Sequence, residues 1–239
     1  MEHFKKNLDR ISLQYSLNED QTETIRQYAL CLFEENRKYN LTGHKTIGDI
    51  LNNLIEGSLL PLPGLNVPRG TYFADLGTGA GIPGIPISIF LEESTGILFD
   101  SNIKKIRFIK EAAARCGIQG ITGISCRIEE AGRDPEFRES FDWVFSRAMA
   151  DLYIVSEMAS PLLKTGGFLY LYSRDVELAE NDNVKRHLQE LGLEVLPGSW
   201  NNTKQPGERT EGILLKKVTP CEERFPRRIA AIKRDRDKI

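Results

Sequence analysis

The 239-residue sequence has no long apolar run, and none approaches the roughly 18–20 residues that a membrane-spanning helix needs. Its first ten residues, MEHFKKNLDR, hold no apolar core of the kind that marks a secretory leader. The expectation is a cytoplasmic protein outside the membrane, in which the sequons at Asn40 and Asn201 carry no weight. Cysteine is scarce. Cys31, Cys116, Cys126 and Cys221 show no C-x-x-C spacing and no companion histidines, so free buried thiols are expected and no metal site. Histidine is scarcer still. His3, His44 and His187 are scattered, form no dyad pattern, and read as surface or loop residues. Internal repeats and low-complexity segments are also missing, which excludes solenoids and disordered arrays.

There is no overall basic excess either. The net charge is −2, which gives no support to a general nucleic-acid coat. The charge is unevenly placed, however. RFPRRIAAIKRDRDKI, residues 224–239, carries +5 and leaves −7 on the rest. Such a tail is either a phosphate-binding arm or a solvated, frayed terminus.

With 40% hydrophobic and 28% charged residues, the chain has the composition of a globular protein with a real core. The N-terminal third reads as helical. Asn18 is an N-cap before EDQTETIRQYALCLFEENRKYN, where Ile25, Tyr28, Ala29, Leu32 and Phe33 recur at helical spacing. A second helix over TIGDILNNLIEGSLL ends before the linker-like PLPGLNVPRG. From Thr71 onward short apolar runs alternate with amphipathic stretches, the pattern of right-handed βαβ crossovers in a parallel sheet. RTEGILLKKV closes the series as a strand antiparallel to its predecessor at the sheet edge. The expected organisation is a helical cap over residues 1–68, an α/β domain over 69–219 and a basic tail over 220–239.

FADLGTGAGIPGIP, residues 73–86, follows the first strand, where ligands of open α/β sheets bind. Its glycines satisfy two motifs: Gly79, Gly81 and Gly84 fit G-x-G-x-x-G, and Asp75, Gly77, Gly79 and Gly81 fit the acidic loop of methyltransferases. Both classes expect a ribose-binding acid about 20 residues on, and Asp100 supplies it. Asp75 separates them. A carboxylate there would repel a pyrophosphate seated on the helix N-terminus, whereas S-adenosylmethionine carries an ammonium and a sulfonium and no phosphate. Pro83 also removes a backbone N–H where a dinucleotide motif needs one. The expected cofactor is S-adenosylmethionine.

Over about residues 34–217 the sequence resembles the guanine-N7 methyltransferases of small-subunit ribosomal RNA, the glucose-inhibited division protein B family. The resemblance is carried by KYNLTG (38–43), DLGTGAGIPGIPISI (75–89), LFDSNIKKIRFIKEAA (98–113), RIEEAG (127–132), FDWVFSRAMA (141–150), SPLLKTGG (160–167) and PGERTEGILLKK (206–217). It implies a Rossmann-like seven-stranded α/β fold, mostly parallel with an antiparallel edge strand. It implies methylation of N7 of one guanosine in 16S rRNA, on free RNA, the small subunit or an assembly intermediate, by an enzyme expected to be monomeric. Family cofactor contacts carry over to Gly77, Ile82, Ile128, Glu129 and Arg147, and activity-bearing arginines to Arg127, Arg147 and Arg209. Two places depart from the family pattern: Asn53 and Glu56 stand where a histidine and an aspartate are usual, and Ser173 and Arg174 where a lysine-glycine is common.

Guanine N7 has an in-plane lone pair and no proton to remove, so no general base is required. An arginine on N7 would block attack, which directs Arg147 to O6 or to the cofactor carboxylate; the alternative for Arg147 is a salt bridge to a nearby acid. Lys104, Lys105, Arg107 and Lys110 are open to two readings, a solvated helix face or phosphate contacts. YNLTG either ends the long helix, with Asn40 and Thr42 as caps, or forms part of the wall over the cofactor. SRAM, rather than an N-P-P-Y-like tetrapeptide, argues against an amino-group target. The intact acidic glycine loop argues against a non-catalytic RNA-binding module.

Overall fold

Strand and helix alternate from Tyr72 onward, as the sequence pattern requires. A computed structural model describes residues 2–173, 176–196 and 212–239. Its elements in chain order are α1 (Glu2–Tyr15), α2 (Glu19–Tyr39), α3 (Ile47–Asp49), a π-helical turn (Ile50–Glu56), α4 (Gly57–Leu59), α5 (Leu62–Leu65), β1 (Tyr72–Leu76), α6 (Gly84–Phe90), β2 (Thr95–Asp100), α7 (Ile103–Cys116) and β3 (Ile121–Ser125). They continue with α8 (Ile128–Ala131), β4 (Phe141–Arg147), α9 (Leu152–Ala159), β5 (Leu163–Tyr172), a 3₁₀ turn (Val176–Glu180), α10 (Asp182–Glu190), β6 (Leu193–Val195), β7 (Gly212–Lys217) and α11 (Ile229–Arg236). The strands are ordered β3-β2-β1-β4-β5-β7-β6. β2 pairs in parallel with β3, β1 with β4 and β4 with β5; β7 runs antiparallel to both β5 and β6. This is the mostly parallel seven-stranded sheet that was expected, with the reversed strand where RTEGILLKKV places it.

By internal packing the chain divides into two units, residues 1–71 with 78–125, and residues 72–77 with 126–239. In the first unit α2 starts at Asn18, whose side chain accepts the Gln21 N–H while Gln21 reaches back to the Asn18 N–H, a complete capping box. Its apolar face buries Ile25, Tyr28, Ala29 and Leu32, and it packs against α6 and α7. Asn40 ends the helix in the left-handed conformation (φ 48°), so the capping reading of YNLTG holds for this residue. The TIGDILNNLIEGSLL helix forms, but its middle is π-helical. Glu56, one of the departures from the family pattern, is buried there and gripped by Arg10 of α1 at 2.5 and 2.7 Å. The segment read as a linker includes the short helix α5.

In the second unit residues 73–76 of β1, 143–146 of β4 and 169–172 of β5 are buried throughout, the signature of strand segments covered on both faces. Trp143 stacks on Phe168 at 4.8 Å, and Phe73 meets Phe145 edge-on at 5.9 Å. Lys217 is wholly buried, yet its ammonium donates to Glu139, the Ser160 carbonyl and the Leu163 carbonyl, which uses all three donors. The basic tail is no frayed terminus. Phe225 and Ile232 are buried, and α11 packs on α9. Arg227 forks onto Glu157, itself fully buried, at 2.7–2.9 Å and reaches Asp235 at 2.7 Å. Arg236 bonds Asp151. Arg228, Lys233 and Arg234 stay outside any ion pair among the described residues.

One histidine expectation fails. His187 is not at the surface: it lies on the apolar side of α10, 5% exposed and stacked on Tyr153 at 3.8 Å. The amphipathic spacing Val184, His187, Leu188 carries it inward. All four cysteines are free, and three of them are buried.

Candidate functional site

In the second unit Asp75 is the fourth residue of β1 and has no solvent exposure. The chain then turns at Gly77 with φ +70°, a region costly for any residue with a Cβ. A Cβ at this position would also come within 2.8 Å of Met149 Cγ, so the loop is both bent and tightly packed. β4 lies beside β1 in register, Asp75 against Phe145 and Leu76 against Ser146, and the Ser146 hydroxyl donates to the Leu76 carbonyl at 3.2 Å. The register carries Arg147 to the same carboxyl end as Asp75. Burial pulls the Arg147 pKa down, while Tyr172 and Asp75 act the other way. Its guanidinium also lies over the Tyr172 ring at 5.8 Å. Ala148, directly after it, sits at φ +55°, a strained conformation for alanine that re-aims the chain at the strand end.

α8 begins after Arg127, whose N–H is accepted by the Glu130 carboxylate at 3.3 Å. Ile128 is buried, Glu129 half-buried and Arg127 exposed. Arg209 and Arg174 lie outside the described residues.

In the first unit the loop is organised by its own backbone. Thr78 N–H donates to the Phe99 carbonyl, and the N–H groups of Gly81 and Ile82 both donate to the Thr78 carbonyl. Gly79 (φ +60°) directs its N–H to Asp100 Oδ2 at 2.9 Å. Asp100 Oδ1 accepts the Asn102 N–H at 2.8 Å, and Lys105 lies 3.6 Å from Oδ2. These contacts fix the Asp100 carboxylate and still leave lone pairs for hydroxyl donors. Gly81 has φ +94°, and a Cβ there would strike the Ile85 side chain. The Tyr28 hydroxyl donates to the Ala80 carbonyl at 2.8 Å and pins the loop to α2. Thr78 Oγ1 is buried with no hydrogen-bond partner among the described residues.

Sequence reasoning named Asp75, the glycines, Asp100 and Arg147. It missed Met149, which fills the space beside Gly77, and the Tyr28 hydroxyl; Tyr28 reads as a core position at helical spacing, and its tie to the loop has no local signal. Among the described residues no cluster of histidine, cysteine and carboxylate side chains is arranged to hold a metal. Each unit thus supplies a carboxylate: Asp75, buried at the end of β1, and Asp100, oriented by the Gly79 and Asn102 N–H groups; a carboxylate suits a cation or a hydroxyl donor. Neither suits a phosphate.

Comparison with known proteins agrees with this donor set. The family model described as GidB, rRNA small subunit methyltransferase G, matches residues 21–205. Two curated relatives carry the name ribosomal RNA small subunit methyltransferase G. That of Desulfitobacterium hafniense is 34% identical over 92% of this chain and 91% of its own length. That of Syntrophomonas wolfei is 37% identical over 86% of this chain and 94% of its own. Among solved structures, a ribosomal protein L11 methylase from Lactobacillus delbrueckii subsp. bulgaricus aligns with a TM-score of 0.53 at 16% identity, over 74% of this chain and 81% of that one, a likeness of fold. With its fold, its acidic glycine loop and a family match over more than half its length, the chain belongs to the GidB family of small-subunit rRNA methyltransferases.

Proposed function

We propose that the protein transfers a methyl group from S-adenosylmethionine to N7 of a guanosine in 16S rRNA of the small ribosomal subunit. The observation that carries the reading is Asp75, a fully buried carboxylate where β1 meets a loop whose three glycines all have positive φ. Bound there, S-adenosylmethionine supplies a methyl group made electrophilic by its sulfonium. Asp75 offers the counter-charge for the amino-acid ammonium, directly or through water. Asp100, oriented by the Gly79 and Asn102 N–H groups, accepts from the ribose hydroxyls. Gly77, Gly79 and Gly81, all at positive φ, let the loop make its turn; Gly77 and Ile82 contact the cofactor, and Ile128 and Glu129 flank the adenine. Arg147 directs its guanidinium to guanine O6 or to the cofactor carboxylate, with Arg127 and Arg209 as further cationic contacts. The target nitrogen already exposes its lone pair, so the work of these residues is positioning and charge stabilisation. Such an enzyme belongs in the cytoplasm with its ribosomal substrate, and no described helix is long and apolar enough to cross a membrane.

Methylated-nucleoside analysis of 16S rRNA from cells with and without the gene tests this. Loss of one 7-methylguanosine, restored by the gene, is the expected result. An unchanged nucleoside profile would overturn it.

A further inference from the structure

The C-terminal end of α2 and the first three turns of α7, both within the first unit, enclose a cleft of about 200 Å³ lined by Glu35, Tyr39, Lys104, Arg107, Phe108 and Glu111. That exceeds the roughly 150 Å³ that accepts a benzene ring. Tyr39 is 62% exposed and is the one aromatic among the exposed large apolar side chains of the described residues. It is the last residue of α2, and the left-handed turn at Asn40 takes the chain away from it. Ile103, which opens α7, is 64% exposed.

The two cations that line the cleft, Lys104 and Arg107, stand outside any ion pair among the described residues. So does Lys110, whereas Arg115 at the far end of α7 bonds Glu34 and Lys105 faces Asp100. Of the two lining acids, Glu35 is held by Lys38 at 2.6 Å, which leaves Glu111 to face two cations. The Lys104 charge does not serve the helix. The first turn of α7 contains no acid, and cations at the positive end of a helix dipole destabilise it. A local rule broken in this way, beside an exposed ring, marks a surface built for something other than stability. A flat aromatic face flanked by unpaired cations is the platform on which unpaired nucleotides are held, the base stacked and the phosphates neutralised. α7 begins three residues after Asp100, so the platform is joined by a short connection to the cofactor-facing end of β2.

We propose that this cleft binds an unpaired nucleotide of the RNA substrate, its base stacked on Tyr39 and its flanking phosphates on Lys104 and Arg107. The proposal rests on the rRNA methyltransferase reading. The test measures methyl transfer to small subunits from cells lacking the gene, binding of those subunits across a salt series, and S-adenosylhomocysteine affinity by calorimetry. Tyr39→Ala should raise KM about tenfold or more, and Tyr39→Phe, which keeps the ring, should recover most of that loss. Lys104→Ala combined with Arg107→Ala should make the slope of log K against log salt shallower by about 1.4, roughly 0.7 for each single-strand phosphate contact. S-adenosylhomocysteine should bind all variants as it binds the parent. A wild-type enzyme inactive on these subunits overturns both readings. Active wild type with an unaltered Tyr39→Ala KM overturns the cleft alone, and so does a Tyr39→Phe variant as impaired as the alanine. A raised KM with an unchanged salt slope assigns the contact to a ribosomal protein and overturns the RNA site. Lost cofactor affinity in the variants does the same, since the residues would then act on the cofactor.

Discussion

Asp75 is a completely buried carboxyl group, and a protein retains charge at such a place only where something compensates it. In the proposed complex the compensation includes the cofactor's cation. Asp75→Asn keeps the shape and removes the charge, so S-adenosylmethionine affinity should fall about 10–100-fold, the range for losing a hydrogen bond to a charged group. Calorimetry on the folded variant reads this directly, and unchanged affinity would remove Asp75 from the site. Arg147 is half-buried over Tyr172 and feels Asp75 from the neighbouring strand. Arg147→Ala should lower kcat about 10²–10³-fold, the scale seen when one transition-state donor is lost, with a small change in melting temperature. A fully active Arg147→Ala enzyme would sink its assigned role. The placement of both residues at strand ends is legible in the sequence, because the apolar runs mark where each strand stops. Met149 and the Tyr28 hydroxyl are not, because their roles depend on which distant backbone comes to rest beside them.

At the scale of elements, the tail shows where composition misleads. Seven basic residues in sixteen read as an arm, but charge counts do not reveal that Glu157 is buried beneath them. Arg227 satisfies that carboxylate through its Nε, a guanidinium nitrogen and its backbone N–H, and α11 closes over the contact. Arg227→Ala leaves a buried charge unpaired and should destabilise the fold by about 3–5 kcal/mol, which for a chain of this size is a drop of roughly 6–20 °C in melting temperature. The double variant with Glu157→Gln should recover part of it, because the stranded charge is gone. Calorimetric melts decide the matter, and a single variant as stable as the parent would mean that Glu157 finds another partner. The same reasoning explains Glu56. A departure from the family pattern in sequence is, in the structure, an acid held by Arg10 of α1, a residue outside the motif that flags it.

For the whole molecule, the alternation of strands and helices, the reversed β7 and the glycine loop were legible, because periodicity and turn chemistry are local. The position of His187 was not, since burial of one polar residue in an amphipathic helix depends on what packs opposite it. That burial sets a pH dependence. Desolvation holds the His187 pKa below its ordinary value of 6.5, against the pull of Glu157 and the Tyr153 carbonyl. The imidazole is therefore neutral in the folded state, while the unfolded chain takes up a proton near pH 6.5. Its contribution to stability is present above that pH and is lost as the pH falls towards the folded-state pKa. Asp235, held down to about 2 by Lys238 and Arg227, adds a further loss only once the pH drops below its ordinary 3.8. Methyl transfer to a lone pair that carries no proton has no matching requirement, so kcat and stability should part company. Between pH 6.5 and 9 kcat should stay nearly flat, while the melting temperature should decline from pH 7 to 5.5, less so in His187→Gln, which cannot take up a proton. A bell-shaped kcat profile would instead demand a general base, and an unchanged melting temperature on the acid side would clear His187 of the role.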